Sequence, residues 1–457
     1  MKTHMIKILT LILAFSLYVG AQDNSFDGLG DMSVESFYGE VSDSKAISAV
    51  PLVSAVVPVP IPTAAVDEVQ APAEIPEWLV MVFINARNNL WQAGIIDINE
   101  METVGSTAKI AVTAELGLLQ DKGNSTRFFI QKDNDNSRIS SPGEKVMNSD
   151  MGSYKHFVNF AKWSIRRHPA KRYMVILWNH GSGRVDIGGA DNSGAELGIA
   201  YDDLTRNFIR NSQIATALKE ISGYAGKKVD IYSSDACLMQ MLSVAYEIKD
   251  HAQYLVQSEE IVPGYGFPYD TILTSLNANP SASASVASQM IVDNYDTFYE
   301  ANNHKKGTTI SAINSNGFGG FNARLNAWVR EAVKNRADVL EALKGTLSFE
   351  HGYDGNDTTG NARSKDLYDL IENVNARVDS ASELYKAGKA LQGHMSGGLI
   401  ISNENTGPDA SYARAKGLAV YLPKMIYDTS YDEMLISRDT LWDDFVKWTI
   451  DESYRIR

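Results

Sequence analysis

The stretch KKVDIYSSDACLMQ, residues 227–240, decides how this chain is read. Val229, Ile231 and Tyr232 belong to a short apolar run of β-forming residues, so the segment begins as a strand. It then breaks into Asp235-Ala236-Cys237. In an open parallel sheet, ligands bind outside the carboxyl ends of the strands, which is where these three residues would fall. Cys237 is the only cysteine among 457 residues, so no internal disulfide can involve it. A lone thiol is either a small buried hydrophobe or a reactive group, and both readings stand at this point.

A second run with the same kind of ending lies upstream, RYMVILWNHGSG at 172–183. If the two strands are neighbours, His180 and Cys237 meet at one edge of the sheet. A free thiol is mostly protonated at neutral pH, and a nearby histidine activates it. After the cysteine, Leu238, Met241, Leu242, Ala245 and Ile248 recur at helical spacing. That spacing predicts Cys237 at a helix start, where the dipole favours thiolate. The backbone N–H groups of Gly181 and Cys237 are the candidate oxyanion donors. The alternatives are a structural histidine at a strand end and, for Asp235, a helix N-cap.

The rest of the chain fits such a sheet. WLVMVFINA, AKIAVTAEL, TRFFIQKD, AQYLVQSEE and TTISAINS read as further strands. Helical patterns lie near 150–167, 211–222, 284–301 and 318–345. Near-continuous apolar strands separated by helices predict an α/β/α sandwich with a mostly parallel central sheet covered on both faces. After about residue 350 the pattern changes to helices near 364–375 and 380–391, two hairpin-like strands (GGLIISNE and GLAVYLPK) and a final helix near 429–450. The expected organisation is an α/β core over 78–348 and an additional C-terminal α/β region over 349–457 that packs on it.

Residues 1–21 read as a secretory signal: Lys2 and Lys7 precede an apolar run from Ile8 to Val19, and Val19-Gly20-Ala21 offers a small-residue cleavage site. The segment has no cysteine, so it is not a lipoprotein signal. The expected location is outside the cell or in the periplasm, with no membrane span once the signal is removed. Residues 22–77 form a polar, then proline-rich linker or pro-segment, with six of the 13 prolines between 46 and 77. The formal charge of −14 argues against nucleic acid, because phosphate binding needs clustered Lys and Arg.

ILWNHGSG and SSDACLMQMLSVAYEIKD, followed by SEEIVPGYGFPYD, resemble the clostripain family (C11) of cysteine peptidases in the caspase-like clan. NARNNLWQAGIIDINEMETVGS, the segment around 148–163 and GIAYDD at 198–203 resemble that family in the same order. The likeness implies a caspase-like core and a dyad of His180 and Cys237. It also implies cleavage after Arg or Lys, with Asp235 at the base of the pocket that receives the P1 side chain, a carboxylate facing a cation. Tyr265 stands between Gly264 and Gly266, where some relatives carry an acidic residue, so it enters as a second candidate for that pocket. Family members are made as precursors, and Arg184, Arg206, Arg210 and Lys219 are the candidate processing sites.

No cofactor is required on this reading, and calcium is possible with no ligands assigned. DNDNSRISSPGE (133–144) has acids at EF-hand positions 1, 3 and 12 but lacks the glycine and holds a proline, so it reads as a solvated turn. NHGSG could serve a lipase, but the chain has no G-x-S-x-G elbow. The expected partners are proteins or peptides with basic residues. A caspase-clan peptidase with a non-basic P1 preference and a catalytically silent secreted binding protein remain the alternatives.

Overall fold

The computed structural model describes residues 75–183, 198–302, 307–349, 363–406 and 412–457. Its strands are β1 (Trp78–Ala86), β2 (Ile110–Leu118), β3 (Ser125–Phe129), β4 (Gly143–Val146), β5 (Arg172–Trp178), β6 (Ile199–Asp202), β7 (Asn207–Ile209), β8 (Val229–Asp235), β9 (Ala252–Gln257), β10 (Thr308–Asn314), β11 (Ser348–Phe349), β12 (Ser364–Asp366), β13 (Ile400–Thr406) and β14 (Ala419–Tyr421). The helices are α1 (Trp91–Val104), α2 (Tyr154–Arg167), α3 (Asn211–Ala225), α4 (Leu242–Ile248), α5 (Tyr269–Ala278) and α6 (Ala284–Ala301). They continue with α7 (Phe321–Ala332), α8 (Arg336–Gly345), α9 (Leu367–Asn375), α10 (Glu383–His394), α11 (Leu435–Asp439) and α12 (Trp442–Ile450).

Nine strands form one sheet in the order β13-β10-β9-β8-β5-β1-β2-β3-β4. The inner pairs β9-β8, β8-β5, β5-β1 and β1-β2 are parallel, and antiparallel pairs extend both edges. Every residue of β1 is buried. Trp78, Val80, Val82 and Ile84 enter one core with α1, α5 and α6, while Leu79, Met81 and Phe83 enter the other with α2, α3, α4 and α7. A strand covered on both faces has no polar side, so its sequence is continuously apolar instead of alternating. At about 1.5–3 kcal/mol for each large side chain buried, such central strands carry much of the core. Among the described residues no helix is long and apolar enough to cross a membrane.

Three expectations need correction. The helix expected near 318–345 is two, α7 and α8. Asn335 closes the first with its backbone N–H on the Ala332 carbonyl and its side-chain amide on that of Glu331. The helix expected near 429–450 is a 3₁₀ turn (Thr429–Glu433) followed by α11 and α12. Thr440 breaks it, its hydroxyl donating to the Ile436 carbonyl and accepting the Trp442 N–H. The two C-terminal strands are not a hairpin: β13 pairs with β10 in the main sheet, and β14 joins β12 and β11 in a separate one. Residues 407–418 separate β13 from β14, far more than the few that a hairpin loop uses.

The C-terminal segment is tied to the sheet by buried acids. Glu259, just past β9, accepts the Gly417 N–H at 2.8 Å, and Asp366 at the end of β12 accepts those of Lys416 and Asp369, both at 2.6 Å. Both side chains are fully buried, and burial raises both above the ordinary carboxyl range, Asp366 to about 7; the Asp366 charge raises Glu259 further. A carboxyl raised by folding contributes stability that is complete below its unfolded pKa, near 4, and is lost as pH rises through the folded value. The unfolding midpoint of the full chain should therefore fall between pH 5 and 8, and Glu259→Gln should flatten that slope. A thermal melt series whose slope the variant leaves unchanged would exclude this pair as its source.

Candidate active site

β5 and β8 run parallel with Trp178 opposite Asp235, so both strands leave the sheet at the same level. His180 and Cys237 follow at once and line one cleft together with Leu90, Val262, Gly264 and Gly266. The sequence expectation that they share a sheet edge is met. Asn179 holds the edge together. Its side-chain amide donates to the carbonyls of Asn85 and Tyr201, at 2.5 and 3.2 Å, and its side-chain oxygen accepts the N–H of His180.

Cys237 does not sit at a helix start. Residues 237–241 form a turn in which Leu238 takes a left-handed φ of 62°, and α4 begins only at Leu242. The segment is stitched across to other strands: the Leu238 N–H donates to the Glu260 carbonyl, the Gln240 N–H to that of Ser258, and the Ala419 N–H to that of Gln240. Its apolar residues mimic helical spacing because all of them are buried. The dipole argument for a thiolate therefore falls away. Cys237 is 7% exposed, and burial pushes its thiol up to about 12, helped by the Glu260 and Asp235 charges and opposed by the Val262 N–H, which reaches Sγ at 3.4 Å. Burial pushes His180 down to about 4. The resting pair is a neutral thiol and a neutral imidazole.

Sequence reasoning missed the group that orients the imidazole. Asn89 Oδ1 lies 2.8 Å from His180 Nε2. An amide oxygen only accepts, so Nε2 carries the proton and Nδ1 is the nitrogen available for proton transfer. The signal was present: Asn89 follows the carboxyl end of β1, the neighbour of β5, where the strand-end rule applies equally.

Gly181 forms a bridge with Ile199 of β6, and the hydrogen bonds on either side of it come from Ser182 and Ala200. Its own N–H is thus turned away from β6. A Cβ at Gly181 would stand 2.4 Å from the Cys237 carbonyl oxygen, so only glycine lets the two loops approach this closely.

Asp235 lines the cleft and is 4% exposed. Its Oδ2 accepts the Phe267 N–H and the Tyr269 hydroxyl, each at 3.0 Å. Burial pushes its carboxyl up to about 7 against those two donors. Asp97 takes the Trp178 indole N–H at 2.6 Å and Glu100 takes the Tyr269 N–H at 3.0 Å. Both are raised chiefly by burial, and the Asp235 charge adds to each. Tyr265 is not among the cleft residues; its half-buried ring packs edge-on against Phe298, with centroids 6.1 Å apart.

Of the processing candidates, Arg184 lies outside the described residues. Arg206 is exposed in the β6–β7 turn with a left-handed φ of 55°, and Arg210 is exposed before α3 with its guanidinium over the Phe208 ring. Lys219 is inside α3, where hydrogen-bonded helical backbone resists a protease. In 133–144, Asp135 is paired with Arg138 and caps the Ser137 backbone, a surface turn.

The sequence profile of the clostripain family, Peptidase_C11, matches residues 82–448. Clostripain from Hathewaya histolytica is 27% identical over 225 residues, 44% of this chain and only 42% of clostripain. A secreted C11 cysteine protease from Bacteroides thetaiotaomicron, solved in complex with an irreversible peptide inhibitor, superposes with a TM-score of 0.58 at 19% identity, covering 82% of this chain and 99% of that one. An inactive zymogen C11 protease from Parabacteroides distasonis gives 0.56 at 17% identity, over 80% and 99%. At these identities the solved structures establish the fold.

Replacing Asn89 with Ala frees the imidazole to rotate, and kcat on any cleaved peptide should drop by about tenfold with little change in KM. Asn89→Asp keeps the acceptor and should recover most of the rate. It should also move the acidic limb of the pH profile upward, because a carboxylate stabilises the imidazolium. Equal losses in both variants, or none, would remove Asn89 from the site.

Proposed function

The chain belongs to the clostripain family and is a cysteine peptidase; from that premise we propose that it is a secreted endopeptidase that cleaves after Arg or Lys through Cys237 and His180. The observation that carries the P1 preference is the cleft floor. Asp235 lines it, its charge acts on the nearby buried Asp97 and Glu100, and none of the three is in a salt bridge among the described residues. An uncompensated buried carboxylate is costly, so these groups hold their protons until a cation arrives. A P1 guanidinium or ammonium supplies that charge.

In the reaction, Sγ of Cys237 bonds to the scissile carbonyl carbon as His180 Nδ1 takes the thiol proton. The Gly181 and Cys237 N–H groups receive the developing oxyanion. The C–N bond breaks with return of that proton to the leaving amine, and water then hydrolyses the thioester with His180 as base. The resting neutral pair suits this route, because a neutral imidazole can take up a proton. Maturation by a cut after a basic residue accords with the zymogen known among the structural relatives. Among the described candidates, Arg206 and Arg210 are exposed and outside regular helix. Export by the 1–21 signal accords with a secreted relative. Calcium is an optional addition; among the described residues no three His, Cys, Asp or Glu side chains converge on a metal site.

Cys237→Ala and His180→Ala should each cut turnover of fluorogenic peptides by roughly a thousandfold or more without loss of fold. Activity surviving in either one would refute the dyad. A panel with Arg, Lys, Asn and norleucine at P1 tests specificity, and preference for Asn would establish the non-basic reading instead.

Asp235 must be ionised to meet a cation, and its carboxyl is raised to about 7. The ratio of kcat/KM for P1 Arg over P1 norleucine should therefore climb as pH rises through about 7. Asp235→Asn should abolish that climb and lower Arg cleavage by about 10- to 100-fold while sparing norleucine. Equal losses on both peptides would make Asp235 a structural residue.

A further inference from the structure

One polar group behind the cleft has no role in the site as described so far. Tyr295, on α6, is fully buried, and its hydroxyl has no hydrogen-bond partner among the described residues. A buried hydroxyl left without a partner costs about 1–3 kcal/mol, so its position calls for a reason. Its ring is held on two sides. The Phe267 ring meets it edge-on with centroids 5.6 Å apart, and the Tyr299 ring tilts against it at 4.6 Å.

Both neighbours hydrogen-bond residues that line the cleft. The Phe267 N–H binds Asp235, and the Tyr299 hydroxyl donates to the Gly266 carbonyl at 2.8 Å. Tyr295 therefore stands in the shell that surrounds Asp235, whose charge acts on its hydroxyl. The other two tyrosine hydroxyls in that shell are engaged, Tyr269 on Asp235 and Tyr299 on Gly266.

A lysine ammonium offers three donors and an arginine guanidinium five. Oδ2 of Asp235 already accepts two hydrogen bonds, which leaves Oδ1, whose two lone pairs are fewer than the donors of either head. A second acceptor is needed in the same wall. An anionic head is excluded there by Asp235, Asp97 and Glu100, and an apolar one would leave the hydroxyl unsatisfied.

We infer that the Tyr295 hydroxyl is a specificity-determining group that, with the Asp235 carboxylate, receives the nitrogen-bearing head of a P1 lysine or arginine. The inference rests on the basic-P1 reading above. It accounts for a hydroxyl kept in a position where phenylalanine would pack equally well.

Tyr295→Phe removes only the oxygen, and lysine and norleucine peptides differ only in the terminal nitrogen at P1. Kinetics of the wild type and the variant on Arg, Lys and norleucine peptides, beside a thermal melt of each, decide the matter. The variant should lose about tenfold in kcat/KM on Arg and Lys, carried by KM, with norleucine cleavage and the melting midpoint unchanged or the latter slightly raised. No loss on the basic peptides, or an equal loss on norleucine, overturns the role of Tyr295 while leaving the basic preference standing. A wild type that cleaves norleucine as well as lysine sinks the basic-P1 reading itself, and this inference with it.

Discussion

Everything at this site depends on the register of parallel strands at the middle of the sheet. β8, β5 and β1 lie side by side, and Trp178 of β5 pairs with Ile84 of β1 and with Asp235 of β8. The three chains leave the sheet in that order and deliver Cys237, His180 and Asn89. Thiol, imidazole and orienting amide are thus laid out by consecutive strands. A slip of one residue in any ladder would swap the strand's faces and force each side chain into the core packed for the other set. The cores that make β1 buried along its whole length are therefore what keeps the chemistry aligned.

That same burial sets the electrostatics. The cleft rises from a dry interior, which pushes the thiol up, the imidazole down and the carboxyls up. Burial favours the neutral form of each group, because low dielectric penalises an isolated charge more than it does a hydrogen-bonded neutral group. On the proposed basic-P1 reading, such a site is quiet until a substrate brings charge and displaces water, and a cation at Asp235 would remove a penalty that the folded protein otherwise carries.

The fold, and the meeting of His180 and Cys237 at one sheet edge, were legible in the sequence because both follow from local rules. Apolar runs mark strands covered on both faces, and the residues just after them fall at the ligand-binding edge. What escaped detection was set by long-range contacts. The turn after Cys237 reads as a helix because burial on several sides and burial on one helical face leave similar apolar spacing over a dozen residues. Asn89 escaped because it sits in NARNNL as one more polar loop residue until β1 is known to neighbour β5. Tyr265 looked like a pocket residue from its place between Gly264 and Gly266, but the ring turns to Phe298, and sequence position alone does not give side-chain direction.

The C-terminal segment belongs to this argument as well. β13 adds a strand to the main sheet, and the Ala419 N–H bonds the carbonyl of Gln240, three residues beyond the thiol. The Tyr412 hydroxyl donates to Glu260, whose own carbonyl fixes Leu238. The turn that presents Cys237 is therefore held from one side by the loop after β9 and from the other by residues 412–419. A short turn with a left-handed residue at its centre has little local preference to keep it in shape. Its geometry is imposed by these two supports, so the C-terminal segment is part of what holds Cys237 at the cleft and not an appendage to a finished site.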